Sequence, residues 1–185
     1  MASPGPGRGG VDAFIRAVRA MSRAFGVAAA ALIGIAVLVV CHMVFVRYVL
    51  NQTTIWQTDF TTYSLVAATF IGSPYVLLTR GHVNVDVLPH YAGPRLRFAL
   101  ALFGSFVTLA FAIALAVLTF LFWKESWDNK WVSDTMWRAR LWIPYAAMPI
   151  GLTALALEAI AGLLALLTRR EQPFGMDAER AELME

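Results

Sequence analysis

Residues 25–46 read FGVAAAALIGIAVLVVCHMVFV, a stretch without a single acidic residue, lysine or arginine. A helix needs roughly 20 apolar residues to cross the hydrocarbon core of a bilayer, so this stretch predicts a membrane-spanning helix. Three further apolar blocks follow at about 60–79, 98–122 and 141–167. The sequence therefore predicts an all-α integral membrane protein with four transmembrane helices.

The composition agrees with that architecture. Of the 185 residues, 59% are hydrophobic and only 15% are charged, whereas a soluble domain carries about a quarter charged residues. Residues 1–10 are rich in Gly and Pro and are predicted to be disordered, residues 11–170 form the membrane domain, and residues 171–185 form an acidic, mobile tail. The formal charge of +3 does not indicate nucleic acid, because the basic residues cluster at the ends of apolar blocks, where membrane lipid and topology explain them.

Two segments outside the four blocks are amphipathic. In residues 11–23, Arg16 and Arg23 fall on one helical face and Ile15 and Val18 on another, which predicts a short interfacial helix; the alternative is an extension of the first membrane helix. In residues 123–140 the tryptophans at 123, 127 and 131 recur every four residues and predict a second short helix along the membrane surface.

The basic residues predict the orientation. Ten lie on the side of the two termini and five on the other side, so the rule that cytoplasmic loops are positive places both termini in the cytoplasm. The ten are Arg8, Arg16, Arg19, Arg23, Arg80, Arg95, Arg97, Arg169, Arg170 and Arg180, and the five are Arg47, Lys124, Lys130, Arg138 and Arg140.

All six tryptophans fall on the predicted outer side. Such a one-sided set has two interpretations, a lipid anchor or a docking surface, because tryptophan is enriched both at membrane interfaces and in binding hot spots. The candidate docking residues are Trp56, Trp127, Trp131 and Trp137.

The second helix is the least hydrophobic block, and Pro74 should kink it. Small and hydroxyl-bearing side chains allow membrane helices to approach closely, so we expect this helix to lie between protein neighbours, with Thr62, Thr69 and Ser73 as candidate contacts.

Glu158 is the acidic residue deep in an apolar block, and two interpretations stay open. An intramembrane acid by default suggests an ion path, but it can also tie its helix to a neighbouring one. The histidines do not indicate a haem or metal site, since His42 and the pair His82 and His90 are predicted at opposite ends of the helices. No phosphate loop, nucleophile elbow or zinc motif occurs, so neither an enzyme nor a cofactor is predicted.

Three stretches resemble the small membrane subunit of tripartite ATP-independent periplasmic (TRAP) transporters, the DctQ type. They are RYVLNQTTIWQTD at 47–59, FIGSPYVLLTRGHVNVDVL at 70–88 and WIPYAAMPIG at 142–151. Their order and spacing carry the resemblance, which covers about residues 12–168. One departure is Thr58-Asp59, where the family often has paired acids.

The resemblance implies a small permease subunit of the bacterial inner membrane that braces a large multi-span subunit. A sodium-coupled large subunit would hold the sodium and substrate sites, and a periplasmic binding protein would deliver an organic acid and dock on the outer loops. Thr62, Thr69, Ser73 and Glu158 would then contact the large subunit, and Arg80, His82 and Asp86 would form an ion-paired structural turn. The alternatives are a stand-alone proton-coupled carrier using Glu158 and a scaffold subunit of another membrane complex.

Overall fold

The computed structural model describes residues 8–79 and 94–168. It contains the helices α1 (Arg8–Tyr48), α2 (Gln57–Leu78), α3 (Pro94–Asp128), α4 (Trp142–Tyr145) and α5 (Ala147–Leu167). Within these residues, four helical spans are long and apolar enough to cross a membrane, the last of them formed by α4 and α5 together. The predicted all-α membrane fold is confirmed. The predicted tail at 171–185 and the first seven residues lie outside the described part.

Helix α1 settles the alternative left open for residues 11–23. Those residues are not a separate interfacial helix but continue directly into the first span, and α1 begins as early as Arg8, inside the segment predicted to be disordered. With 41 residues at about 1.5 Å each, α1 is roughly 60 Å long, which is about twice the thickness of the hydrocarbon core. Its first turns therefore extend past the membrane.

The helices pack in the order α1, α2, α5, α3, and α1 also contacts α5. Four of the five buried residues described in α1 recur at intervals of seven, at Ile15, Ser22, Ala29 and Ala36. A seven-residue repeat keeps one seam of a helix facing its neighbour when the two cross at a shallow angle. One stripe of α1 thus faces the rest of the bundle, and the remainder of its surface is open.

Small residues form most of the interior. Ten of the fourteen buried hydrophobic residues are alanines. In α1, a Cβ placed on Gly26 would lie 2.5 Å from the ring of Tyr75, and a Cβ on Gly72 of α2 would lie 3.2 Å from that of Ala29. Membrane helices associate through such close contacts, because lipid tails leave little hydrophobic gain in burying large side chains.

The closest contact lies between α2 and α5. Pro74 has no N–H to donate to the carbonyl of Phe70 one turn earlier, and the Ser73 hydroxyl donates to that carbonyl instead, at 2.8 Å. Gly151 of α5 packs directly on this peptide, so that an added Cβ would lie 2.1 Å from the Phe70 oxygen. The Phe70 peptide, which precedes Pro74 by one turn, and the glycine at 151 thus bring two backbones together.

Between α3 and α4 the structure differs from the helix predicted over 123–140. Helix α3 ends at Asp128, and Lys130 adopts a left-handed conformation with φ 50°. The amides of Lys130 and Trp131 donate to the carbonyls of Trp127 and Ser126 at 3.2 and 3.1 Å, the bond pattern of a Schellman cap. Hence Trp123 and Trp127 lie on α3, whereas Trp131 lies beyond it. The four-residue spacing of the tryptophans continues past the end of α3. The sequence gives no sign of this helix end, because neither glycine nor proline occurs there.

We expect Gly151→Ala to destabilise the bundle. The added methyl group would overlap backbone atoms of Phe70, which cannot rotate away, and overpacking of this kind costs about 1–3 kcal/mol or more. The matched control is Gly162→Ala on the same helix, where an added Cβ meets nothing within 4 Å. Thermal unfolding of the detergent-solubilised protein should show a clearly lower midpoint for Gly151→Ala alone, and equal midpoints would contradict the contact.

Candidate functional site

The candidate functional residues lie in two places, on the open face of α2 and at one end of the bundle. That end, the Trp-bearing end, comprises the end of α1, the start of α2, the end of α3 and α4. Six of its aromatic residues form two groups of ring contacts that join α3 to α4 and to the residues between them: Phe122 with Trp131 and Tyr145, and Trp127 with Trp123 and Trp142. The rings of Trp127 and Trp142 meet edge to face at 4.5 Å, and the indole N–H of Trp123 donates to the Trp142 carbonyl at 3.0 Å.

These ring contacts divide the four tryptophans proposed for docking. Trp127 packs α3 against α4 through Trp142, although it is also exposed, and Trp131 packs on Phe122 of α3 from the segment that follows this helix. Trp56 is exposed at the start of α2, between the rings of His42 and Phe60. Trp137 is 40% exposed in the segment after α3. The four therefore differ in their surroundings, which sequence spacing could not reveal.

Residues Lys130–Leu141 fold back on themselves, and we call this segment the hairpin loop. Val132 and Arg140 pair in an antiparallel bridge, flanked by the amide of Ser133 donating to Ala139 at 2.8 Å and that of Leu141 donating to Trp131 at 3.0 Å. At the tip, the amide of Arg138 donates to the carbonyl of Thr135 at 3.1 Å, which closes a turn around Met136 and Trp137. The hairpin loop is thus an ordered element with a defined tip.

Asp59 joins the hairpin loop to α2. It lies in the first turn of α2, where the helix dipole favours a negative charge, and its carboxylate accepts a hydrogen bond from the Thr135 hydroxyl. The hydroxyls of Ser133 and Thr135 lie 3.0 Å apart. Asp59, which lies where the sequence departs from the family pattern, therefore contacts the hairpin loop. This contact fixes the tip of the loop relative to the membrane helices.

One stripe of α2 faces away from both α1 and α5. Its exposed members are Thr62, Leu65, Thr69 and Val76, and we call it the open face of α2. Thr62 and Thr69 donate to carbonyls of their own helix at 3.0 and 2.9 Å. Ser73 is partly buried, and its hydroxyl bonds to Phe70. Each of these hydroxyls thus already has an acceptor within α2. A neighbouring helix could therefore pack on this face by close fit, without having to supply a hydrogen-bond partner.

Glu158 is buried in the interior of the bundle. It is 4% exposed, and its carboxylate accepts a hydrogen bond of 2.6 Å from the hydroxyl of Ser22, which is fully buried. Next to this pair, Ile15 and Val18 of α1 pack on Ala161 and Ala165 of α5. The glutamate thus ties the fourth span to a neighbouring helix, which is one of the two roles that the sequence left open.

The Ser22 contact places Glu158 beside the start of the uncharged stretch of α1, because Ser22 directly precedes Arg23. The fourth span continues past Glu158 and packs on the part of α1 that precedes Ser22.

The structural turn predicted at Arg80, His82 and Asp86 lies outside the described residues. Within residues 8–79 and 94–168, no group of three His, Cys, Asp or Glu side chains could hold a metal ion.

The fold defines an integral membrane protein with four spans that pack through small residues. The family model of the tripartite ATP-independent periplasmic transporters, DctQ component, matches residues 36–169. The chain therefore belongs to the DctQ family and is a TRAP transporter small permease subunit, not an enzyme.

A curated relative supports this assignment. The chain is 28% identical over 171 residues to the C4-dicarboxylate TRAP transporter small permease protein DctQ of Vibrio cholerae serotype O1 (strain ATCC 39315 / El Tor Inaba N16961), covering 77% of this chain and 74% of the relative. No solved structure matches the chain.

We expect the Ser22–Glu158 hydrogen bond to stabilise the junction of α1 and α5. Ser22→Ala leaves a buried carboxylate without its donor, which costs about 1–3 kcal/mol. Glu158→Gln is the matched variant, since its amide oxygen can still accept from Ser22. In a double-mutant cycle with Ser22→Ala and Glu158→Ala, followed by thermal unfolding in detergent, we expect a coupling of about 0.5–3 kcal/mol. Simple additivity would show that the two side chains do not interact.

Proposed function

We propose that this chain braces the large membrane subunit of a sodium-coupled TRAP transporter through the open face of α2. The observation that carries the proposal is a mismatch: α2 is the least apolar of the four spans, yet a whole stripe of it is uncovered. Lipid tails favour large apolar side chains, whereas Thr62 and Thr69 allow the close approach of another helix. A protein neighbour in the plane of the membrane accounts for this face.

The exposed faces of α3 and α1 support the choice of α2 as the contact for the large subunit. The exposed side of α3 carries large apolar side chains such as Phe103, Phe106 and Phe111, and that of α1 carries Val27 and Leu38. Such surfaces suit lipid. We therefore place the large subunit against α2. Of the four candidate contacts, Thr62 and Thr69 remain the best placed, because they are exposed, whereas Ser73 is partly buried and Glu158 is buried.

The transport chemistry then belongs to the partners. We propose that sodium and substrate bind in the large subunit, and that a periplasmic binding protein delivers an organic acid. The relative from Vibrio cholerae is named for C4-dicarboxylates, which supports this class of solute. The Trp-bearing end, with Trp56, Trp127, Trp131 and Trp137, would face that binding protein. A stand-alone carrier based on Glu158 has less support, since this residue is buried and its carboxylate is bonded to Ser22.

The bracing proposal predicts that Thr62→Leu together with Thr69→Leu separates the two membrane subunits. Leucine keeps the helix apolar but blocks close approach, so recovery of the co-expressed large subunit on the tagged small subunit should fall by about ten-fold, the effect of roughly 1.4 kcal/mol. Sodium-driven uptake of a C4-dicarboxylate in proteoliposomes holding all three components should fall in parallel.

The control for this pair is Ala114→Leu, an equally small-to-large change on the exposed side of α3. It should leave both recovery and uptake unchanged. Normal recovery with the double variant, or an equal loss with the control, would refute the assignment of the open face.

We further propose that the chain lies in the bacterial inner membrane with both termini in the cytoplasm, on the strength of the ten-to-five distribution of basic residues. The single cysteine makes this testable, because Cys41→Ala gives a background free of thiols. In that background, Met136→Cys should react with a membrane-impermeant maleimide on intact spheroplasts, and Thr168→Cys only after the membrane is opened. The reverse pattern would invert the topology.

A further inference from the structure

The hairpin loop holds two cations where glycine would be favoured. Within the described chain, the non-glycine residues with positive φ are Asn51, Lys130 and Arg138. Asparagine tolerates the left-handed region, but Lys and Arg do so poorly. Lys130 occupies the position after a helix at which a Schellman cap usually has glycine. Arg138, with φ 48°, follows the tip turn, where a left-handed glycine commonly closes a hairpin.

Strained residues of this kind persist when something other than local stability maintains them. Here the feature common to both is a positive charge. Arg140 adds a third cation on the returning arm, and Asp134 is the acid between them. All four side chains are exposed. The hairpin loop therefore presents a surplus of positive charge to the solvent.

The tip adds an apolar anchor to these charges. Met136 is 87% exposed and Trp137 is 40% exposed, side by side in the turn that Thr135 and Arg138 close. Trp, Met and Arg are the residue types enriched in protein–protein interfaces. The bond from Thr135 to Asp59 and the cap at Lys130 hold this set in place, which reduces the entropy lost when a partner binds.

We propose that the hairpin loop is the docking site for an acidic surface of the water-soluble binding protein, with Met136 and Trp137 as apolar anchors and Lys130, Arg138 and Arg140 as the surrounding cations. This inference rests on the proposed function, which supplies a binding protein on this side of the membrane. It narrows the docking surface from the whole Trp-bearing end to one ordered loop, and it specifies the charge of the partner.

The test measures binding of the purified binding protein to the complex of small and large subunits in nanodiscs. Lys130→Gly and Arg138→Gly remove the charges without straining the backbone. We expect each to weaken binding by about ten-fold and to flatten its dependence on salt, as loss of a charge pair at an interface does. The thermal midpoint should stay equal or rise, which separates lost docking from misfolding. Arg138→Lys should restore most of the affinity.

Lys124→Ala is the matched control, since it removes one exposed cation from α3 outside the hairpin loop. Unchanged affinity in the two glycine variants, or an equal loss in the control, would overturn the inference. So would hairpin variants that dock normally but bind less to phosphatidylglycerol vesicles, because the loop would then be a lipid anchor. If the large subunit did not co-purify with the unaltered chain, the proposed function itself would fail. If it did co-purify, but the hairpin variants bound the binding protein as well as the unaltered chain does, this inference alone would fail.

Discussion

The bundle depends on the contact of two backbones, at Gly151 of α5 and Phe70 of α2. Pro74 leaves the Phe70 carbonyl without its usual donor, Ser73 replaces that donor, and the absence of a side chain at 151 lets the other helix reach the same peptide. In lipid an unpaired carbonyl is costly, so the proline is tolerated only because the serine precedes it. Three residues on two helices thus act together to set the distance between the central pair.

The arrangement of the other helices follows from that central pair. Helix α1 lies on one side of it, against α2, and α3 on the other side, against α5. The Ser22–Glu158 bond adds a second junction between α1 and α5. Because α2 lies between α1 and α5, and α4 and the hairpin loop contact only its start, the open face remains for a partner. Among the polar groups of the spans, the hydroxyls of Thr62 and Thr69 bond within their own helix, whereas Ser22 and Glu158 join two helices.

The four spans and their order could be predicted from the sequence, because the length of an uncharged apolar stretch is enough to identify a transmembrane helix. The ends of the helices could not. Residues 11–23 are amphipathic whether they lie on the membrane or pack on α5, and only the tertiary contact of Ile15 and Val18 decides between the two. The helix end at Lys130 was missed because a lysine occupies a position where glycine is expected.

The candidate sites show the same limit. The tryptophans lie at one end of the bundle, but which of them are engaged in packing depends on the turn after α3, which brings Trp131 onto Phe122 and Trp142 onto Trp127. The partner of Glu158 is 136 residues away, and no local pattern indicates Ser22. In each case the missing information was a tertiary contact that helical spacing does not predict.

The length of α1 has a consequence for how the subunit sits in its membrane. Arg23 and Arg47 border its uncharged stretch, and at roughly 1.5 Å per residue they are about 36 Å apart, more than the hydrocarbon thickness of about 30 Å. Such hydrophobic mismatch is relieved when a helix leans away from the bilayer normal or when the lipid around it thickens. Since α1 is bound to both α2 and α5, it cannot lean alone, and any inclination is shared by the whole subunit. A partner seated on α2 would have to match that slope, or the bilayer between the two proteins would deform.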